Sequence, residues 1–254
     1  MNVIRPLSAF FLSGVVWLGA QEAPLLSVLP RAEEVRQREL RADLQMIRKN
    51  YGQAIELYQQ ALRFSPENAV LLNKIGIAYH QSAQLAEAQK YYEHATRAQP
   101  AYAQAWNNLG TVYYARKNYR RAIRHYERAL KEDPTQAAVH GNLGTALFAR
   151  RQYARALAEF QQALLLNPEI FQQRSPFGVL MQDYSVKDRA RFHYLLAKSL
   201  ASLGRVERAL FYLRRAREDG YAIKEAQGDA AFDLVREDRR FQELFQPPPA
   251  ASRP

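Results

Sequence analysis

Pro100, Pro134 and Pro168 stand 34 residues apart, and that spacing constrains the chain more than any other feature. A fixed period of this length marks a stack of supersecondary units rather than one globular core. Set on the prolines, the chain divides into segments 69–102, 103–136 and 137–170. In the middle segment Trp106, Leu109, Gly110, Tyr113, Ala122, Tyr126, Ala129 and Pro134 form a pattern of eight positions. One unit earlier the same positions hold Leu72, Ile75, Gly76, Tyr79, Ala88, Tyr92, Ala95 and Pro100. One unit later they hold His140, Leu143, Gly144, Leu147, Ala156, Phe160, Ala163 and Pro168.

The pattern reads as a pair of antiparallel helices per unit. Tyr119, Ala122, Ile123, Tyr126, Ala129 and Leu130 recur at intervals of three and four, the buried stripe of the second helix. Gly110 and Ala122 are small where the two backbones are expected to approach, and Tyr113 and Tyr126 fill the volume around them. Pro134 cannot continue the helix and disfavours helical geometry at Asp133, so it punctuates the turn between units. One pair cannot bury its apolar faces alone; stacked pairs share a continuous core.

These positions resemble the tetratricopeptide repeat (TPR). The resemblance implies an all-α fold, a right-handed superhelix of antiparallel helix pairs, over about residues 33–221. Two further units are divergent. In 35–68 the second helix is marked by Tyr51, Ala54, Tyr58, Ala61 and Pro66, while the first keeps Ala42 but has Arg41 where Leu is expected. That first helix reads as a capping element with a polar outer face. Downstream the register breaks, and Leu196, Ala197, Leu200, Ala209, Leu213 and Ala216 restore it only for a unit at 190–221. Residues 171–189 are then an insertion, rich enough in apolar groups (Phe171, Phe177, Val179, Leu180, Met181, Tyr184) to pack on the inner face or the last pair.

Residues 222–246 have another character. Asp229-Ala-Ala-Phe232, Arg236, Asp238-Arg-Arg-Phe241 and Leu244 resemble the helical cap that closes many bacterial TPR proteins, with Ala230 and Arg239 in place of its two prolines. Residues 247–254 (PPPAASRP) carry no apolar stripe and read as a disordered tail.

At the other end, Leu7 to Ala20 is an uncharged apolar run behind the single cation Arg5. Its 14 residues fall short of the roughly 20 that span a bilayer, so 1–20 reads as a signal peptide cleaved near Ala20, with 21–32 as a linker. The protein is then periplasmic or secreted; the alternative is an uncleaved N-terminal membrane anchor. Cysteine is absent, which excludes a disulfide framework, a thiolate metal site and a thiol nucleophile.

No catalytic or cofactor chemistry is legible. His80, His94, His125, His140 and His193 show no paired helical spacing of a metal site, and no phosphate-binding glycine loop or nucleophile turn occurs. The chain reads as a non-enzyme without a cofactor. Its formal charge is +11, with Arg120, Arg121, Arg124, Arg128 and Lys131 crowding one helix and Arg150, Arg151, Arg155, Arg214, Arg215 and Arg217 further on. Export argues against nucleic acid as the partner. What stays open is a solvated outer face or weak contact with an anionic envelope surface.

The resemblance also implies a concave groove lined by the first helix of each pair. Carried over by position, its lining is Asn73, Ile77, His80, Asn107, Asn108, Thr111, Tyr114, Asn142, Thr145, Phe148, Tyr194 and Lys198. Asn108 and Asn142 resemble rungs of an asparagine ladder that grips peptide main chain, with Lys74 and Leu195 interrupting it. A clamp for a C-terminal carboxylate is disfavoured, because of Asn73, Ile77, Asn108, Ala138 and Asn142 only Asn108 fits that set. The expected function is a protein-interaction module binding an extended peptide or partner segment in the groove. The alternative is an envelope-associated structural factor that binds acidic lipid or polymer through a basic convex face. The export reading is checked by N-terminal sequencing of the mature protein, which should begin near Gln21; intact Met1 in a soluble cytoplasmic fraction would refute it.

Overall fold

The structure is a computed structural model that describes residues 23–171 and 185–246. The expected signal peptide, most of the expected insertion and the tail lie outside the described residues. Among the described residues every regular element is helical. Ten helices make five pairs: α1 (Ala23–Ile47) with α2 (Tyr51–Leu62), α3 (Ala69–Gln81) with α4 (Leu85–Ala98), and α5 (Ala103–Ala115) with α6 (Tyr119–Glu132). The last two pairs are α7 (Ala137–Ala149) with α8 (Tyr153–Leu166), and α9 (Val186–Ser202) with α10 (Val206–Glu218). Each even helix also packs on the next odd one, so the pairs stack in chain order. The odd helices approach one another directly, α3 to α5 and α5 to α7, and so form the inner wall. Among the described residues no helix is long and apolar enough to cross a membrane.

The prolines act as their chemistry demands. Gln99, Asp133 and Asn167, each directly before a proline, leave the helix for extended backbone with φ of −141°, −146° and −146°. After Pro100 and Pro134 the next inner helix starts three residues later, at Ala103 and Ala137, whereas after Pro168 it starts only at Val186.

The closest contact within a pair is a ring set into a notch. A Cβ placed on Gly76, Gly110 or Gly144 would lie 2.5, 2.6 or 2.5 Å from the ring of Tyr92, Tyr126 or Phe160, each 16 residues on. The glycine therefore admits an aromatic side chain rather than a facing backbone, which refines the expectation for Gly110. The terminal pairs have alanine at this position, Ala42 against Tyr58 and Ala197 against Leu213, all buried.

Three boundaries differ from the sequence reading. Helix α1 begins at Ala23 and runs through the stretch expected as a linker, 21–32. Helix α9 begins at Val186, where the Ser185 side chain accepts from the Asp188 N–H, four residues ahead of the expected unit start. This N-cap is a local signal that repeat alignment does not weigh. The outer face of α1 is not polar either: Leu40, Leu44 and Ile47 are exposed, Ile47 by 79%.

Beyond α10 the chain makes two 3-10 turns (Ile223–Gln227 and Ala230–Phe232), then α11 (Asp233–Arg236) and α12 (Arg239–Glu243). Phe232, Val235, Phe241 and Leu244 are buried in one cluster with α9 and α10, so this segment covers the last pair. The missing prolines are dispensable because Asp229 and Asp238 supply the N-caps, accepting from Ala231 and Arg240 N–H. Arg217 Nη1 ties the end down by donating to the Leu244 carbonyl at 2.7 Å.

The notch yields a paired test. Gly110→Ala should destabilise by about 1–3 kcal/mol through overpacking against Tyr126. Gly52→Ala, on a helix with nothing within 4 Å of the new methyl, should gain up to about 1 kcal/mol. Chemical denaturation of both variants decides it, and shifts of the same sign would refute the ring-in-notch account.

Candidate functional site: the inner wall and its polar seam

The inner wall carries a hydrogen-bonded seam that crosses the pairs. Asn108 Nδ2 donates to Asn73 Oδ1 at 2.9 Å, and Asn142 Nδ2 donates to Asn107 Oδ1 at 3.0 Å. Both bonds span 35 residues, one more than the repeat, so each joins adjacent positions of successive inner helices. Asn107 Nδ2 closes on Asn108 Oδ1 at 3.3 Å and links the two rungs, while Asn73 Nδ2 reaches the Tyr102 hydroxyl at 3.5 Å. Lys74 does not interrupt the ladder. It makes a rung of its own, donating from Nζ to Glu39 at 2.7 Å across the same 35 residues, with Asp43 at 2.8 Å. Burial opposes the charge on Lys74, but its hydrogen bonds to Asp43 and Glu39 prevail and raise its pKa.

The seam decides where the expected groove residues stand. Asn73, Asn107, Asn108, Thr111, Asn142 and Thr145 are all buried. The two threonines donate to the carbonyls of Asn107 and Gly141, four residues back on their own helices, at 3.1 and 2.8 Å. The expectation that Asn108 and Asn142 present carboxamides to an open groove is therefore corrected: each amide bonds an amide of the preceding helix. A buried carboxamide without a partner carries a large desolvation cost, and the neighbouring helix supplies the partner.

The apolar candidates divide in the same way. Phe148 is buried against Tyr153 and Phe192, with ring centroids 5.4 and 5.6 Å away. Tyr194 is buried under the C-terminal cap, stacked on Tyr221 at 4.4 Å. Lys198 is half-buried and ion-paired to Asp229 of the cap at 2.5 Å. Ile77, His80 and Tyr114 are half-buried on the inner helices, and burial lowers the pKa of His80, favouring its neutral form. Phe171, the one described apolar residue of the expected insertion's start, packs on Phe160 at 5.4 Å and Phe192 at 6.3 Å and lies 3.6 Å from a Cβ placed on Gly141.

Sequence reasoning assigned Tyr119 to the buried stripe of its helix and placed none of the first residues of the outer helices on the wall. Tyr119 lies 5.1 Å from Tyr114, and Arg191 lies 4.7 Å above the Tyr153 ring while donating to its hydroxyl at 2.7 Å. The signal was present, since Tyr119 and Tyr153 are 34 residues apart. The accessible part of the wall is thus amphipathic: Ile77 and the tyrosine rings give apolar area, and His80 and the hydroxyls give hydrogen bonds. Among the described residues no group of three or more histidine and acidic side chains is arranged to hold a metal.

Comparison with known proteins agrees with this architecture. Tetratricopeptide-repeat models match residues 69–102, 103–136, 137–170 and 190–216, and a further TPR-repeat model matches 42–83. No curated protein matches the chain. Among solved structures, YrrB, a TPR protein with an unusual peptide-binding site, is 20% identical, with a TM-score of 0.51 over 79% of this chain and 94% of its own. MamA from Desulfovibrio magneticus RS-1 is 17% identical, with a TM-score of 0.52 over 73% of this chain and 94% of its own. Another MamA crystal structure has 17% identity and a TM-score of 0.53, covering 74% and 92%. At these identities the likeness is one of fold.

The seam makes a definite demand on stability. Asn108→Ala removes a donor to Asn73 and an acceptor for Asn107, and should cost about 1–3 kcal/mol. Gln104→Ala, exposed on the same helix, should stay within about 0.5 kcal/mol. Urea denaturation of the two variants checks this, and equal midpoints would remove the seam from the account.

Proposed function

The chain belongs to the tetratricopeptide-repeat family, with repeats over more than half its length, and from that premise we propose that it is a non-catalytic protein-interaction module whose inner wall binds an extended partner segment. The observation that carries this is the division of labour on the inner helices. The asparagines and threonines bond one another and fix the spacing of the helices, while Ile77, His80 and Tyr114 stay partly accessible on the same wall. A wall held rigid from within and amphipathic at its surface suits an extended ligand whose side chains bury against Ile77 and the rings while its backbone stays hydrated. The peptide-binding site named for YrrB supports the same reading at the level of the fold.

Main-chain gripping by Asn108 and Asn142 is not part of this mechanism, because their amides face neighbouring amides. Recognition instead comes from the half-buried rings and Ile77, whose few rotatable bonds make ordering cheap on binding. The convex-face alternative finds less support. Arg128 is paired with Glu132 at 2.8 Å and lies over Trp106, Arg155 is paired with Glu127 at 2.8 Å, and Arg121 lies over Tyr113. These three cations are engaged within the fold, whereas Arg120, Arg150 and Arg151 of the same expected set pair with no carboxylate among the described residues. In our reading the protein acts outside the cytoplasm, on the strength of the apolar run before Ala20.

Selection of a random peptide library on the purified protein, followed by calorimetry on the enriched sequences, tests the proposal. Tyr114→Ala and Ile77→Ala should weaken the best peptide, about 30-fold for the dominant anchor. Arg214→Ala on the outer face should leave affinity unchanged. Loss at Arg214 with none at Tyr114 or Ile77 would place binding elsewhere and end the inner-wall proposal.

A further inference from the structure

The turns between the helices of each pair share one backbone geometry. Lys49, Ala83, Lys117 and Arg151 have φ of 61°, 60°, 58° and 61°, and Gly204 closes the series at 65°. This left-handed conformation favours glycine, which avoids the Cβ clash. At three of the five turns the chain places a lysine or arginine there instead.

Local electrostatics makes the choice more unfavourable still. Arg116, Lys117, Arg120 and Arg150 are exposed and line one open depression together with Asn118, Tyr119 and Ala149, and no carboxylate lines it. The depression sits at the N-terminus of α6, whose first turn holds no acidic residue, and α8 beginning next to Arg151 has none either. Helix N-termini carry partial positive charge and repel cations. Elsewhere among the described residues nine arginines pair with carboxylates, among them Arg38 with Glu34, Arg128 with Glu132, Arg189 with Asp219, and Arg240 with Glu207 and Asp238. Among the described residues no acidic side chain pairs with Lys117, Arg120, Arg150 or Arg151, and Arg116 reaches only the amide oxygen of Gln89. Strained backbone, like charges and opposing dipoles are gathered at one place, and a bound anion relieves the electrostatic part of that conflict.

We infer that this turn edge, from Arg116 and Lys117 to Arg150 and Arg151, is a docking surface for the phosphate headgroups of an anionic phospholipid bilayer. The depression offers guanidinium forks and an ammonium, with only Tyr119 and Ala149 as apolar lining, which matches clustered phosphates. Arg48 and Lys49 stand exposed at the equivalent turn of the first pair. The turn of the second pair carries Ala83 and no cation, so the charges stand at the first, third and fourth turns of one edge of the stack, several of them open to one charged surface. This surface adjoins the inner wall at Tyr119, but its cations take no part in the peptide proposal and do not depend on it.

The test compares vesicles of phosphatidylglycerol mixed with phosphatidylcholine against pure phosphatidylcholine, by co-sedimentation of the full chain. The readout is the ratio of the two affinities, which cancels any contribution of the apolar N-terminal run. The wild type should prefer the anionic vesicles and lose the preference at high salt. Lys117→Gly/Arg151→Gly removes two cations and relieves the turn, so it should raise the melting temperature while lowering the preference roughly tenfold or more. Arg97→Glu/Arg214→Glu, away from this edge, should retain the preference. No preference in the wild type, or equal loss in both double variants, would overturn the inference. Binding of poly-glutamate at this edge without preference for anionic vesicles would overturn it too, in favour of an acidic polypeptide.

Discussion

Everything in this molecule hangs on a ring lying in a notch. Gly76, Gly110 and Gly144 leave no room for even a methyl group beneath Tyr92, Tyr126 and Phe160, and this sets how closely the two helices of a pair approach. That distance fixes where the inner helix presents its next residues, and so fixes whether Asn73 and Asn107 meet Asn108 and Asn142. Packing within a pair thus comes before bonding between pairs. The terminal pairs relax the rule together, with alanine replacing glycine at both ends and leucine replacing the ring at the last.

The rungs between pairs are not alike. The first interface is joined by an ion pair, Lys74 to Glu39 and Asp43, and the next two by amides. Between α7 and α9 the pattern lapses, with Gly141 facing Phe171 and Leu195 buried. In a nearest-neighbour stack each interface contributes separately to stability. The coupling along this solenoid therefore passes from ionic, to neutral polar, to apolar, and ionic strength acts chiefly on its first joint.

Period and punctuation made the fold legible. Prolines at 34-residue intervals and the glycine and aromatic positions between them give the pairs and their order, because each reports a steric requirement that few residue types meet. The site was legible only as a set of positions. Register shows that Asn108 and Asn142 occupy equivalent places, but their partners lie 35 residues away, and a one-residue offset between helices is a property of the stacking. The same offset hid the Glu39–Lys74 rung. Boundaries set by single side chains, such as the Ser185 cap and the start of α1 at Ala23, escaped for a related reason: they depend on one local hydrogen bond or on composition, where the repeat gives no guidance.

The two ends of the stack differ in kind. At the C-terminal end Phe232, Phe241 and Leu244 seal the last pair; at the other, Leu40, Leu44 and Ile47 lie open along α1. A sealed end and an open end give the array a direction of growth. A duplicated unit added before α1 would find an apolar face ready to receive it, whereas one added after α10 would have to displace the seal. Stacking on the described residues is thus open at α1 and closed at the cap.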